Sequence, residues 1–517
     1  MSVLLLAALL PTADASGYYI LDPGTRAISR GGAFVAGVDD LSAQYWNPAG
    51  LMNLDRPQAF LNFSMVAQPT TFSRVDYDAD GNVLAEYDAV SNGAPAMPIP
   101  AIAVSHNFGL KKWNFAFGLY PPFAPRFDYP EDGAQRYNLQ DSTILQAWTG
   151  PSVAWRPAKW LKVGFGASWT FFDVRQTRAL MVCNATLSTD GLCPYDAATE
   201  VDGSYGRQND VQAVIDVKDM VKFTWNAGII VEPKPWIAIG ASVLPPIRVD
   251  ANGSFTTKFG KDHWLGPNSQ DPVVSTVFPD GVLNGDTFAD NDATVSLQMP
   301  LILRGGVALR PKKGLEIEVA TVYQRWSMTD QITISDLNLT LDLEGELAGN
   351  PIDDVVIEDN IELPLGWVDA WSLRVGGDWD INPQWTVRAG AHWEQGAVPP
   401  LTLGVDAPDA DKYGYGLGGA YTIKDRVILD FAWGHTLLGD VAIPQSEARR
   451  LEVPVDLQAL IGEEGYAPAI ENGLPIGTGT LNAQSMMGSA GVTVLFGKAA
   501  RGGANGPGKG GNAKGNP

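Results

Sequence analysis

The sequence predicts an all-β protein: a transmembrane antiparallel β-barrel of about 14 strands whose lumen is plugged by the N-terminal segment. Three observations lead to this fold. Segments of alternating apolar and polar residues fill most of the chain, short turns and long loops connect them in alternation, and a compact segment rich in small residues precedes them. Alternation with a period of two indicates strands. Unequal connections on the two rims are typical of bacterial outer-membrane barrels.

Composition narrows the class of protein. The chain has 517 residues, of which 45% are hydrophobic and 18% charged, and its net charge is -22. No apolar run of about 18 residues or more follows the first residues, so helical membrane spans are excluded. The excess of acidic residues argues against a nucleic-acid partner. We expect this excess to lie in loops, where water solvates it.

The first residues carry features of an export signal. Val3 to Leu10 form a short apolar run, and Ala13-Asp14-Ala15 fits an A-x-A cleavage site, although the usual basic residues are missing. Residues 1–15 are therefore predicted to be a signal peptide. In an exported protein, the pair Cys183 and Cys193 predicts one loop-closing disulfide. The alternative is two free buried thiols.

The segment from Thr25 to Leu51 is predicted to be the plug. Its glycines and its Asp-Asp and Asn-Pro pairs rule out a long helix or a strand. Asp40 is predicted to cap a one-turn helix from Leu41 to Gln44, and Asn47-Pro48 to end it, because a residue before proline avoids the α conformation. A barrel of 14 strands has a lumen that wall side chains alone do not fill. A plug is therefore expected.

Four short motifs in this segment carry a family resemblance. They are Arg30-Gly31-Gly32-Ala33, Asp39-Asp40, Ser42-Ala43 and Asn47-Pro48-Ala49-Gly50-Leu51. Together they resemble the N-terminal hatch of the outer-membrane long-chain fatty acid transporter family (FadL type), which includes channels for aromatic hydrocarbons. The resemblance extends over nearly the whole chain. It implies that residues 16–57 form a hatch and that the protein lies in the bacterial outer membrane, in contact with lipid and lipopolysaccharide. We expect a monomer.

The hatch motif of the resemblance comprises Arg30, Gly31, Gly32, Asp39, Asp40, Asn47, Pro48 and Ala49.

Six short turns set the number of strands. Each lies between two alternating segments; the turns are at residues 107–113, 156–160, 232–236, 310–314, 382–385 and 424–426. They define six hairpins, and a first strand from Gln58 to Gln68 and a last strand from Leu481 to Phe496 bring the total to about 14. An even number puts both ends of the wall, residues 58–496, on the periplasmic rim. The Gly-rich tail, residues 497–517, is predicted to be disordered.

The alternation assigns each strand an outward and an inward face. From Leu161 to Phe171 the odd-numbered residues are apolar and predicted to face outward, whereas Lys162 and Thr170 face inward. From Trp385 the outward set begins and ends with tryptophan, at Trp393. Tryptophan at both ends of a lipid-facing set is typical of interfacial girdles. A soluble sandwich also alternates but does not repeatedly place aromatic residues at strand ends.

Charged residues of both signs fall on the inward faces. They are Glu316, Glu318, Arg374, Asp378, Arg388, His392, Glu394 and Asp430. Buried charges need partners, so we expect them to pair with one another and with the plug. The natural partners there are Arg26, Arg30, Asp39 and Asp40. The resemblance also implies that an unpaired cation binds the carboxylate of a fatty acid. The candidate substrate-binding residues are Arg175, Arg178 and Arg304, to which no motif assigns the role.

The third strand contains residues that disfavour pairing. Gly118 packs no side chain, and Pro121 and Pro122 donate no backbone hydrogen bond. The simple interpretation is a strand that ends at its loop. Members of the resembled family have a kinked third strand that opens the wall sideways, which implies a lateral opening at these three residues.

No enzyme signature occurs. The sequence lacks a G-x-S-x-G, an H-E-x-x-H and a phosphate loop. His392 and Glu394 form a conceivable acid/base pair, but pairing across the lumen explains both. Three acidic loop residues, Asp286, Asp290 and Asp292, fit no EF-hand spacing, and a solvated loop is favoured over Ca²⁺ binding. We expect no catalytic residues, no metal and no cofactor.

The predicted function is passive uptake of hydrophobic molecules, above all long-chain fatty acids, by rearrangement of the hatch. The alternatives are a monoaromatic hydrocarbon channel, an outer-membrane lipid hydrolase and a water-filled porin.

Overall fold

The computed structural model describes residues 23–77, 82–185, 193, 208–260, 262–264, 266, 268, 291–341, 346–347, 350–351, 355–456 and 471–497. The predicted signal peptide and the tail after Gly497 lie outside the described residues, as do Asp286 and Asp290 of the acidic loop. No helix in the described ranges is long and apolar enough to cross a membrane.

Fourteen antiparallel strands form a closed wall, as predicted. They are β1 (Gln58–Ala67), β2 (Met97–His106), β3 (Trp113–Phe123), β4 (Asp141–Ala158), β5 (Leu161–Asn184), β6 (Asp210–Lys234), β7 (Ile237–Leu244), β8 (Leu301–Lys312), β9 (Leu315–Arg325), β10 (Ala370–Asp380), β11 (Trp385–Glu394), β12 (Lys412–Ile423), β13 (Val427–Ile443) and β14 (Gly479–Leu495). Each strand pairs with the next, and β1 closes the ring against β14 over Gln58↔Leu495 to Ala67↔Met486. Closure joins the first strand to the last, which a sheet in hydrocarbon requires.

The two rims differ. One carries the six predicted short turns together with both ends of the wall; we call it the inner rim. Beyond the other rim the sheet continues as two hairpins. The first hairpin consists of Ile247–Phe259, which pairs with β6, and Asn291–Met299. The second consists of Gln331–Leu341 and Val355–Pro364. The two hairpins are joined by pairing between Asn291–Met299 and Gln331–Leu341. These hairpins, with residues 172–184 of β5 and 210–218 of β6, form what we call the outer extension.

The outer extension differs from the sequence-based expectation that long loops connect the hairpins of the wall. Smaller strands on the same side are Thr70–Tyr77, Val83–Glu86, Val90–Ser91, Arg126–Asp128, Glu346–Leu347, Asn350–Pro351, Arg449–Val455 and Glu471–Pro475. A short 3-10 helix covers Trp326–Met328. Arg449–Val455 runs parallel to the tip of β5, so the long connection from β13 to β14 crosses over the extension.

The polarity of the two faces reverses along β5. In its first half the predicted faces are present: Trp169 is 50% exposed on the outside, and Thr170 is fully buried inside. From residue 172 onward the apolar side chain of Phe172 is buried inside, and Arg175 faces outward. Apolar-out is the pattern of a wall surrounded by hydrocarbon, and apolar-in is that of a sheet surrounded by water. The reversal therefore marks the outer membrane surface, and the outer extension encloses an apolar vestibule above it.

Candidate functional site

The N-terminal segment lies inside the wall, where the sequence predicts the plug. Residues 23–57, which we call the hatch, contain α1 (Thr25–Ser29), α2 (Ala43–Trp46) and a 3-10 helix (Pro48–Asn53). Phe34 and Trp46 are fully buried. Small residues allow this compact, irregular path, because they let the chain turn where a longer side chain would collide with the wall.

The predicted helix in the hatch is displaced. It was expected from Leu41 to Gln44, but α2 covers Ala43–Trp46. The Asp40 carboxylate accepts hydrogen bonds from the backbone N–H of Ser42 (2.9 Å) and from its hydroxyl (2.5 Å). This local turn delays the helix by two residues. Asn47-Pro48 does end the α-helix, as predicted, since Asn47 is extended.

Asn47 joins the hatch to the wall. Its side-chain N–H groups donate to the carbonyl oxygens of Val35 in the hatch (3.0 Å) and Ile229 in β6 (3.2 Å). Its side-chain oxygen accepts from the backbone N–H of Ala49 (3.1 Å) and so caps the 3-10 helix at Pro48. The three residues of the Asn-Pro-Ala motif thus act together: the first binds the wall, the second fixes the turn and the third is held by the first.

Polar wall residues satisfy the irregular hatch backbone. Asn114 donates to the carbonyl of Leu51 (2.7 Å), and Ser242 donates to that of Trp46 (2.6 Å). A buried backbone carbonyl without a partner is costly, and an irregular segment cannot pair all of its carbonyls internally. The inward polar residues of the wall therefore bind the hatch as a sheet partner would.

Arg30 is the centre of a buried charge cluster. Its guanidinium is fully buried and lies 2.9 Å from a carboxylate oxygen of Glu316, 3.1 Å from Glu318 and 2.9 Å from Asp378. Arg26 also binds Asp378 (3.0 Å). Asp378 in turn lies 3.1 Å from Arg388 and is shared by three guanidinium groups.

Glu318 binds the hatch at a second place. Its carboxylate accepts the backbone N–H groups of Val35 (2.7 Å), Ala36 (2.7 Å) and Gly37 (2.9 Å). One wall carboxylate therefore holds both a hatch cation and a hatch loop. Elsewhere in the lumen Arg374 binds Glu394 (2.6 Å), so the expectation that the inward charges pair holds in the structure.

Gly31 and Gly32 allow the chain to pass close to the wall. Both have positive φ, +58° and +75°, which residues with a Cβ rarely adopt. A Cβ on Gly31 would lie 2.7 Å from the backbone nitrogen of Ala391 in β11. Asp39 makes an ion pair with Arg26 (2.9 Å).

A pocket lies in the vestibule, within the outer extension. About 360 Å³ of space lies between its lining atoms, and this figure includes open solvent. The described residues that line it are Gln176, Arg178, Leu180, Ala213, Ile215, Phe255, Ile334, Ile361 and Leu451. Apart from Gln176 and Arg178 they are apolar. We call this the vestibule pocket.

Arg178 is the one charged residue among these described lining residues. Its Nε atom is buried and has no hydrogen-bond partner in the described part of the chain. Burial raises the pKa of the loop residue Asp406, and the positive charge of Arg178 opposes that rise. The two side chains nevertheless form no ion pair in the described part of the structure. Arg178 thus offers an unsatisfied donor to the pocket.

The other two candidate cations lie elsewhere. Arg175 faces outward, contrary to the expectation of a lumen-facing cation, and its side chain is 59% exposed at 4.0 Å from Asp216. Arg304 does face inward and is 3% exposed. Its guanidinium lies over the rings of Tyr45 (4.7 Å) and Trp46 (5.3 Å) of the hatch. Its Nε and Nη2 atoms have no hydrogen-bond partner in the described ranges.

The wall is incompletely paired between β2 and β3. Pairing runs only from Ile102↔Leu119 to His106↔Phe115, so Met97 to Ala101 pair with β1 but with no described residue of β3. The register of β3 against β4 also shifts between Tyr120 and Phe123, at Pro121-Pro122. We call this place the lateral gap. Gly118 is still paired, with Ala103.

The hatch lies directly behind the lateral gap. The hydroxyl of Tyr120 donates to the carbonyl of Leu41 (2.7 Å) and lies 3.1 Å from Gln44. A Cβ on Gly118 would lie 2.7 Å from the side-chain oxygen of Gln44. Tyr120 was not singled out from the sequence. The signal was available, because the alternation of β3 places it inward beside the two prolines.

The remaining sequence candidates are structural. Cys183 and Cys193 form a disulfide that closes the start of the loop after β5. The Nε2 atom of His392 lies 3.3 Å from the hydroxyl of Thr436, and Glu394 lies 3.6 Å from Lys412 besides its pair with Arg374. No group of three or more His, Cys, Asp or Glu side chains in the described residues is placed to hold a metal ion.

A closed wall with an apolar outer band, filled by its own N-terminal segment, defines a plugged channel of the outer membrane. The chain belongs to the family of outer membrane transport proteins OMPP1/FadL/TodX, whose model matches residues 6–466. Members of this family are transport proteins, and the chain is an outer-membrane barrel of this type.

Two curated relatives match parts of the chain. A long-chain fatty acid transport protein of Escherichia coli is 20% identical over 211 residues, which are 40% of this chain and 40% of that protein. An outer membrane protein of Neisseria meningitidis is 28% identical over 144 residues, 27% of this chain and 30% of that protein. The matched region thus spans less than half of either relative.

Solved structures match the fold over almost the whole chain. A Pseudomonas aeruginosa FadL homologue has a TM-score of 0.67 and 17% identity, covering 93% of this chain and 100% of that one. The toluene transporter TbuX of Ralstonia pickettii has a TM-score of 0.59 and 15% identity, covering 92% and 98%. At these identities the likeness establishes the fold alone.

Proposed function

We propose that this protein takes up long-chain fatty acids passively across the outer membrane. One observation carries the choice of substrate: the vestibule pocket is apolar except for Gln176 and Arg178, and the buried Nε of Arg178 has no described hydrogen-bond partner. A fatty acid combines an apolar chain with one carboxylate, so it matches both features of the pocket at once.

The energetics of Arg178 favour an anionic ligand. A buried donor without an acceptor costs about 1–3 kcal/mol, and a charged donor costs more. A carboxylate supplies oxygens that a guanidinium can bind in a bidentate manner, and such charge-assisted bonds are stronger than neutral ones. A neutral hydrocarbon fills the apolar part of the pocket but leaves the donor unsatisfied. Binding of an acid is therefore expected to exceed binding of a neutral chain of the same length.

Arg304 is proposed as a second contact for the carboxylate, deeper in the lumen. It is buried against Tyr45 and Trp46 of the hatch, and two of its nitrogen atoms have no described hydrogen-bond partner. Since the hatch covers it, a ligand reaches it only after the hatch moves. The carboxylate of the fatty acid then moves from Arg178 to Arg304, while its hydrocarbon chain stays out of water.

The lateral gap is proposed as the exit. Pairing between β2 and β3 is missing at Pro121-Pro122. The outer surface of the adjacent strand β1 carries the exposed apolar residues Phe63 and Met65. A hydrophobic molecule that leaves sideways enters hydrocarbon directly and avoids the cost of crossing water. Tyr120 and Gln44 close the gap from inside, so movement of the hatch and opening of the gap are coupled by their contact.

A neutral arene is the competing substrate, because TbuX and TodX are described as toluene transporters. Binding by the purified protein discriminates the two. Equilibrium dialysis with oleate, methyl oleate and toluene is expected to give tight binding of oleate and much weaker binding of its ester, which lacks the charge. Equal binding of acid and ester, or binding of toluene but not oleate, would contradict the fatty acid proposal.

A further inference from the structure

The inner rim carries a group of cations that the uptake function does not use. They are Lys111, Lys112, Lys159, Lys234, Lys312, Lys424 and Arg426, and we call them the rim cations. All seven belong to the short turns or directly adjoin them, and all are exposed. We propose that the inner rim is a binding surface for anionic phospholipid headgroups of the periplasmic leaflet.

The rim cations are grouped on one rim and are not neutralised by neighbouring acidic side chains. Within the described residues none of them forms an ion pair with an acidic side chain. On the outer surface, by contrast, Lys218 and Lys222 each bind one or more aspartates, and in the lumen Arg310 binds Glu232 and Glu316. A chain of net charge -22 has ample acid to neutralise seven cations. The rim therefore keeps its positive charge for an external partner.

The acidic residues nearest the rim either bind groups other than the rim cations or are outnumbered by the rim cations beside them. Glu232 binds Lys162 (2.7 Å), Asp55 binds Arg56 (3.2 Å), and Asp380 accepts the hydroxyl hydrogen of Thr386 (2.7 Å). Asp425 is exposed between Lys424 and Arg426 and offsets one of them. The rim thus remains positive, and its charge is spread around the ring of turns.

A belt of tryptophans places these cations at headgroup depth. The exposed outward indoles at the inner end of the wall are those of Trp113, Trp155, Trp160, Trp236, Trp379 and Trp385. The ammonium of Lys234 lies 5.7 Å from the centroid of Trp236, and that of Lys312 lies 5.4 Å from that of Trp379. Indoles lie where hydrocarbon meets the headgroups. A lysine beside them extends its charge into the layer of the lipid phosphates.

The chemistry of the partner follows from charge. A zwitterionic phospholipid offers a phosphate but also its own ammonium, so a ring of cations gains little from it. An anionic phospholipid has a net negative charge, which basic side chains near the surface attract. Several cations around one ring can bind the headgroups of several lipids of the same leaflet at once. This preference is independent of the transported substrate.

The test measures lipid selectivity of the full-length protein in bilayers of phosphatidylcholine. Electron spin resonance of spin-labelled phosphatidylglycerol and phosphatidylcholine gives their relative association with the barrel. The rim variant Lys112→Gln/Lys159→Gln/Lys234→Gln removes three charges. The matched control, Lys258→Gln/Arg325→Gln/Arg449→Gln, removes three exposed cations from outer loops and strand ends. Circular dichroism and oleate binding verify that both variants are folded.

The wild type and the control variant are expected to select phosphatidylglycerol, and the rim variant to lose that selectivity by about twofold or more. Salt at 1 M, which reduces the Debye length to about 3 Å, should abolish it. Equal association of both lipids with the wild type overturns the proposal, as does an equal loss in the control variant. Selection of spin-labelled stearate without phosphatidylglycerol also overturns it, because the rim would then hold the transported acid. Oleate binding is unaffected by any of these outcomes.

Discussion

At the residue scale, Arg178 and Arg175 lie three residues apart on β5 and face opposite sides of the wall. One borders the vestibule pocket, whereas the other lies in the surrounding water, 4.0 Å from Asp216. Side chains of a strand alternate with a period of two, so an odd separation always changes the face. Substitution of Arg178 therefore tests the proposed contact with the carboxylate, and the same substitution of Arg175 is its control.

We expect Arg178→Gln to weaken binding of oleate roughly 10- to 100-fold, since a hydrogen bond to a charged group contributes about 1.5–3 kcal/mol. Arg175→Gln should leave the affinity unchanged. Equilibrium dialysis with labelled oleate measures both. If the two variants bind oleate alike, Arg178 does not contact the carboxylate.

Glu318 is expected to determine whether the lumen is closed. Glu318→Gln removes the charge that faces buried Arg30 and weakens the acceptor shared by three hatch N–H groups. Breaking one side of a buried ion pair destabilises a protein by up to about 3–5 kcal/mol, and the loss here is smaller because Glu316 and Asp378 still face Arg30. The variant should therefore show frequent large ion currents in planar bilayers, and the wild type is expected to show almost none.

The control for Glu318 is Asp173→Asn, which removes an exposed ion pair with Lys218 (3.4 Å). Such surface pairs contribute about 1 kcal/mol or less, so the current should remain at the wild-type level. A quiet Glu318→Gln channel would show that this carboxylate does not hold the hatch.

Part of the residue-level picture follows from the sequence. Alternation alone placed Glu316, Glu318 and Asp378 inside, and the rule that buried charges are paired led from there to Arg30. The same alternation, counted from Leu161, puts the odd-numbered Arg175 outside. The expectation that it faces inward is wrong, because a residue's chemistry does not determine its face whereas its position in the alternation does. The three bonds from Glu318 to the loop at Val35 depend on the path of the hatch, which no local pattern encodes.

At the element scale, β3 ends its pairing with β2 at Leu119, before it ends as a strand. Pro121 and Pro122 of β3 and Pro98 and Pro100 of β2 explain this, because none of the four has an N–H to donate across the gap. The chain contains a second diproline, Pro245-Pro246, directly after β7. There the pairing with β8 runs to the last residue, Leu244↔Ile302, whereas residues 219–226 of β6, on the other side, pair with no described residue of β7 or of Ile247–Phe259.

Pro121→Thr/Pro122→Thr restores two donors and is expected to let β3 pair with Met97 to Ala101. Uptake of oleate should fall severalfold, and amide hydrogen exchange of residues 119–123 of β3 should slow. Pro245→Thr/Pro246→Thr is the matched control and should change neither. Slower exchange with full uptake would show that the substrate leaves by another route.

The reversal of polarity on β5 was also present in the sequence. Outward positions change from Phe165 and Trp169 to Asp173 and Arg175, which indicates where hydrocarbon gives way to water. The hairpins of the outer extension were missed for a different reason. The count took each long connection as a loop, although Ile247–Phe259 alternates as regularly as a wall strand. The start of α2 depends on two competing hydrogen bonds from Ser42 to Asp40, which helix propensity does not predict.

At the scale of the whole molecule, the account depends on one requirement. A wall in hydrocarbon must close, a ring of 14 strands leaves a lumen, and the chain's own beginning fills it. This much was predictable, because closure and lumen size follow from strand number. The substrate was not, since an apolar cavity accepts any hydrophobic molecule and only the placement of Arg178 in the fold favours an acid.

Uptake of radiolabelled oleate by intact cells with and without the gene tests the central claim most directly, with labelled toluene measured in parallel. We predict that the gene raises the rate of oleate uptake severalfold and in a saturable manner, without a comparable effect on toluene. Uptake of neither compound above the rate of cells that lack the gene would contradict the account.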